Sequence, residues 1–154
     1  MNVGRNEWRA GVLKQLLILS AVCLGLNAQA EESKEVYKKE VTATVVFKTG
    51  TTANGQPILY PTTDAPEATM LHVEIPAGKE TGWHKHPVPG YAYVLNGQLT
   101  VQLKDGSSNT FRAGQGFAEV ENTLHNGKNE GTEPVKLVVV FTGIVGQPFT
   151  VKAQ

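Results

Sequence analysis

From Val41 onward, short apolar and alternating runs are cut at close intervals by turn signals. Val41–Phe47 is rich in β-branched residues and stops at Thr49-Gly50, which predicts a first strand. Thr69–Ile75 alternates. Leu71, Val73 and Ile75 fall on one face and Met70, His72 and Glu74 on the other, before Pro76-Ala77-Gly78 closes the run. Tyr91–Leu95 and Gln98–Leu103 flank Asn96-Gly97, two residues that tolerate positive φ, so a hairpin is predicted there. Asp105-Gly106 ends the second of these strands. Gly116–Val120 and Lys136–Thr142 follow, the latter so apolar that burial on both faces is expected. No segment here sustains a helical period, and about eight short strands at this spacing predict an all-β sandwich or barrel.

The N-terminus follows another pattern. Arg5, Arg9 and Lys14 precede the apolar run Leu16–Leu26, and Ala28-Gln29-Ala30 offers small residues where a signal peptidase cuts. The run is shorter than the ~20 residues of a membrane span. Residues 1–30 are therefore expected to be a removed signal peptide that delivers the chain to a bacterial periplasm, leaving no membrane attachment. Val22 occupies the place where a lipoprotein anchor at Cys23 would want a small residue. Glu31–Glu40 (EESKEVYKKE) reads as a charged, solvated tether ahead of a domain spanning 41–154.

Composition narrows the function classes. The full chain has 154 residues, with 14 Lys+Arg balancing 14 Asp+Glu, which argues against nucleic-acid binding. Removing residues 1–30 leaves eleven basic and thirteen acidic residues, a net charge of −2, and no Cys. A disulfide or Cys-based zinc site is then excluded, and the domain must rely on its apolar core. Four His remain as the candidate chemistry.

Three of the four converge in pattern. His84 and His86, in GWHKHP, sit two apart, so on a strand both imidazoles project from one face, about 7 Å apart along the chain. Tilted rings at that spacing can grip a metal at ~2.0–2.1 Å. His125 follows another predicted strand, and its convergence with the pair requires a closed fold.

These segments resemble the two motifs of the cupin superfamily. Gly78, His84-Lys85-His86 and Gly97 keep the spacing of the first motif; Gly114, His125 and Asn129 keep that of the second, with Val120 and Asn122 where Pro and Gly are usual. The resemblance covers roughly Ala68 to Thr142 and implies a single cupin domain, a double-stranded β-helix or jelly-roll barrel. It also implies a divalent metal on His84, His86 and His125, and a homodimer. One position departs: the Glu of the first motif is replaced by Gly90, or by Tyr91 on the longer spacing. Three His without Glu leave more coordination positions open, as in the thiol dioxygenases of the same superfamily. The alternative is a pocket that has lost its metal with its carboxylate. Such a His set accepts Fe, Mn, Ni, Cu or Zn.

Glu119 and Glu121 lie on the strand leading toward His125. If Glu119 points inward it is a buried acid in need of a partner, and a candidate catalytic acid–base group; facing outward it is a solvated edge residue. His72, on the mixed face with Met70 and Glu74, is expected at the surface. Trp83, Tyr91 and Tyr93 surround the His pair, where they either line a pocket or pack. Pro87 and Pro89 stiffen the loop after His86. The resemblance points to an exported, quercetin-dioxygenase-like oxygenase acting on a small organic substrate. The runner-up is a non-catalytic module for a small ligand or for the metal itself, and a metal-assisted isomerase or hydrolase ranks third.

Overall fold

The computed structural model describes residues 40–154, so the expected signal peptide and nearly all of the tether lie outside the described residues. Residues 45–154 form one unit. It contains nine strands: β1 (Pro66–Ile75), β2 (His84–Lys85), β3 (Gly90–Asn96), β4 (Gln98–Leu103), β5 (Ser108–Arg112), β6 (Gly116–Ala118), β7 (His125–Lys128), β8 (Val135–Ile144) and β9 (Val151–Lys152). No helix occurs among the described residues.

The strands form two antiparallel sheets, ordered β1-β8-β3-β6 and β5-β4-β7-β2-β9. The expected barrel does not close, because no continuous ladder joins the two sheets; the closed ring is replaced by the double-sheet jelly-roll arrangement. Alternation along β1 is as read, with Leu71 and Val73 half-buried, Ile75 buried and Met70, His72 and Glu74 exposed. Between the sheets lies a core of Ile75, Val94, Leu99, Val101, Leu137 and Val139, each at most 5% exposed. Each such side chain contributes roughly 1.5–3 kcal/mol through burial.

Three expectations change. Val41–Phe47 is not a strand: no neighbouring strand offers it a ladder, and Val41, Val45 and Val46 stay exposed. β8 is not buried on both faces, since Val138 and Val140 remain half-buried on the outer side of their sheet. Asn96-Gly97 makes no hairpin. β3 pairs with β6 and β8 while β4 pairs with β5 and β7, so the turn carries the chain from one sheet to the other. Gly97, at φ 78, backs onto the Pro134 carbonyl, which leaves no room for a side chain. The local hairpin lies one turn later, around Asp105-Gly106 between β4 and β5.

Candidate metal centre

His84 and His125 are assembled by strand pairing. His84 opens β2, His125 opens β7, and the two are register partners. His86, just beyond β2, is held by a bridge to Glu121 and by the Asn122 N–H donating to its carbonyl at 2.8 Å. Asn122 has φ 50, and it stands where the resemblance expects Gly; Asn is the side chain that best tolerates this region. One nitrogen from each imidazole lies within 4.8 Å of the others, so the three His could hold a metal ion.

Each ring is oriented by the backbone. The Nδ1 of His84 lies 2.7 Å from the Gly82 carbonyl, that of His86 2.8 Å from the Phe149 carbonyl, and that of His125 2.9 Å from the Thr123 carbonyl. A carbonyl only accepts, so each Nδ1 carries a proton and Nε2 is the nitrogen left to face a metal. His86 and His125 are buried, and the Nε2 of His125 has no partner among the described residues. Burial pushes the His86 pKa down to about 3, with His125 and His84 adding repulsion against the opposing Phe149 carbonyl. Burial likewise lowers His125 to about 4, helped by His84 and opposed by the Thr123 carbonyl. Imidazoles held through Nδ1–H to backbone carbonyls, with Nε2 left over, are the kind of donor set a divalent metal uses.

A cavity of about 130 Å³ opens beside the three rings. Its walls are apolar residues of both sheets, Leu71, Val73, Leu99, Val101, Leu137 and Val139 among them, with Thr81, Thr150 and Glu119 as the other polar lining. Glu119 faces inward: it is 7% exposed, and no described residue hydrogen-bonds its carboxyl. Desolvation raises its pKa to about 7.

The structure gives a physical reason for the missing carboxylate at position 90. Gly90 is the register partner of Phe141 on one side, and on the other accepts the Glu119 N–H at 2.8 Å. A Cβ there would lie 2.5 Å from the Phe141 ring and 3.1 Å from Glu119 Cγ. Phe141, whose ring centroid is 4.6 Å from that of His86, and Glu119 fill the space a side chain at 90 would need.

Other sequence candidates separate from the centre. His72 is exposed on β1. Trp83 lies under Lys104, whose Nζ is 3.7 Å from the ring centroid. Tyr91 donates to the Tyr60 hydroxyl at 2.6 Å; Tyr91 and Tyr93 alternate with the buried Ala92 and Val94 and do not line the cavity. Glu121 does not line it either, and its carboxyl is raised by desolvation against the Leu59 N–H. Asn129 is structural: its amide donates to the Ile75 and Glu133 carbonyls and accepts from the Gly131 N–H.

The Cupin_2 family (cupin domain) matches residues 71–141. The chain carries a cupin domain. Similar solved structures include an oxalate oxidase in complex with the substrate analogue glycolate, at 24% identity and TM-score 0.43, covering 51% of this chain and 46% of that one. This cupin thus spans about half the length of that protein. An uncharacterized conserved protein with a double-stranded β-helix domain from Klebsiella pneumoniae subsp. pneumoniae MGH 78578 matches at 20% identity and TM-score 0.48, covering 62% and 90% of the two chains. A cupin domain from Bordetella pertussis Tohama I matches at 22% and 0.45, covering 49% and 81%. No curated protein is matched.

Sequence reading missed Phe141, Thr81, Thr150 and the Phe149 carbonyl. Thr150 Oγ1 also lies 3.2 Å from His86 Nδ1, and β9 pairs with β2. Nothing in a five-residue stretch such as QPFTV signals that it will brace a histidine sixty-three positions earlier.

Proposed function

We propose that this cupin is an exported, mononuclear metal protein that acts as a small metal-dependent oxygenase on a small organic substrate. The observation that carries the reading is the shared ring orientation: three Nδ1–H groups are tied to backbone carbonyls, and one nitrogen of each ring lies within 4.8 Å of the other two. His84, His86 and His125 would hold the metal. When bound, it supplies Lewis acidity that orients an oxygen-donor substrate and activates it toward dioxygen. The chain supplies the rest. The carbonyls of Gly82, Phe149 and Thr123 fix the rings, the apolar walls surround the substrate's body, and Glu119 holds a proton at its carboxyl in the same cavity. The basic flank, apolar run and Ala-Gln-Ala ending before Glu31 support export.

The test is elemental analysis of the purified chain, followed by dioxygen uptake with a panel of small thiols, enols and a flavonol. Metal that disappears in a His84→Ala/His86→Ala variant, together with uptake on one substrate class, supports the enzyme. Metal without turnover selects the second reading, a non-catalytic small-ligand module. The predominance of apolar side chains in the cavity, with Glu119 its one carboxyl, favours that reading.

A further inference from the structure

The polar groups of the cavity are not all in one place. His84 and His125 stand on β2 and β7 of the five-stranded sheet, while Glu119 directly follows β6 of the other sheet, across from Gly90. Glu119 does not join the group of donors that lie within 4.8 Å of one another. Apart from Thr81 and Thr150, the other lining side chains are aliphatic and aromatic. Glu119 is 7% exposed and lines the cavity, so its carboxyl borders a space that a ligand can enter.

The volume adds a second constraint. An apolar protein cavity of roughly 150 Å³ accommodates one benzene molecule, about six heavy atoms. The cavity here is about 130 Å³. A three-ring flavonol is larger than this volume.

We infer that the site selects a small bifunctional ligand, one polar group meeting the three histidines and the other hydrogen-bonding Glu119. This rests on the three-His metal reading and adds to it the substrate class and the residue that chooses it. Glu119 acts by contact with the ligand, not as a metal donor.

The experiment uses the full chain loaded with cobalt(II), whose visible absorption reports ligands entering its coordination sphere. Three ω-hydroxy acids (3-hydroxypropanoate, 4-hydroxybutanoate and 5-hydroxypentanoate) are titrated beside their parent carboxylates and a flavonol. At least one hydroxy acid is expected to bind about tenfold or more tighter than its parent, the energy of one good hydrogen bond. The flavonol is expected to leave the spectrum unchanged. In Glu119→Leu, which keeps the volume and removes the hydrogen bond, that preference vanishes while cobalt uptake stays. In Glu119→Gln, which can still hydrogen-bond a hydroxyl, it persists. Equal affinity for every hydroxy acid and its parent in the wild type, a preference that survives in Glu119→Leu, or flavonol binding as tight as that of the small acids overturns the inference alone. Failure of the wild type to take up cobalt, or undiminished uptake by His84→Ala/His86→Ala, overturns the metal reading and this inference with it.

Discussion

His84 and His125 face each other across the β2–β7 ladder, with ring centroids 4.5 Å apart. Directly paired residues put their side chains on the same face of a sheet. The centre is thus built into strand pairing, and loss of the pairing dismantles it. In His125→Ala the metal content of the purified protein is expected to fall from about one ion per chain to background, since two remaining ligands do not hold a divalent ion in competition with water. Inductively coupled plasma analysis reads this directly.

The metal should also stabilise the fold. A ligand present at a hundred times its Kd adds about 2.7 kcal/mol, which for a domain of this size raises Tm by roughly 10–12 °C. Chelator treatment is expected to lower Tm by that amount in the wild type and by nothing in His84→Ala/His86→Ala. Scanning calorimetry with and without EDTA checks it.

Gly90 admits no side chain. Gly90→Ala places a methyl 2.5 Å from the Phe141 ring, whose displacement also disturbs its neighbour His86. The expected loss is about 1–3 kcal/mol in denaturant unfolding, with weaker metal binding. Gly90→Glu restores the carboxylate of the family motif but should not raise metal affinity, because Phe141 and Glu119 occupy its place.

Acid should weaken the metal-free protein, and Glu119 should blunt the effect. His86 and His125 have folded pKa values of about 3 and 4 against 6.5 for the free side chain, so as pH falls below about 6.5 the unfolded chain takes up protons first and stability is lost. Glu119 works in the opposite direction. Its folded pKa of about 7 exceeds the ordinary 4.5, so its contribution is complete below pH 4.5 and is lost as pH rises toward 7. Glu119→Gln is expected to raise stability at pH 8 by on the order of 3 kcal/mol and to steepen the decline between pH 7 and 4.5. Urea midpoints in EDTA across that range decide it.

The C-terminal segment belongs to the centre. Deleting residues 149–154 removes the carbonyl that holds His86 Nδ1 and the strand paired with β2. Metal affinity is expected to fall about 10–100-fold, the usual cost of losing a partner behind a metal-binding histidine. A competition titration against a chromophoric chelator measures it.

Much of this was legible in the chain. The alternation of Thr69–Ile75 placed Leu71, Val73 and Ile75 inward because side-chain direction in a strand follows from a period of two. The spacings around His84, His86 and His125, with the family resemblance, picked out the three residues that the fold brings together and that could hold a metal. Less legible were β5 and β7, whose sequences SNTFR and HNGK are too polar to read as strands and exist because β4 offers them a ladder. Val41–Phe47 shows the reverse, with strand-forming residues and no partner. At Asn96-Gly97 a strong local turn signal was used for a passage between sheets, since turn chemistry specifies a reversal and not which strands pair afterward.

By itself, the sequence determined that the domain is all-β, that its metal-capable residues are His84, His86 and His125, and that position 90 carries no carboxylate. Those properties reside in residue identity and short-range periodicity. Tertiary structure alone decided that Phe141 and Glu119 close over Gly90, that Glu119 faces the cavity, and that the Phe149 carbonyl sets the tautomer of His86. Each depends on which strands become neighbours, and that choice is made by burial of the whole core, beyond the reach of any local stretch of chain.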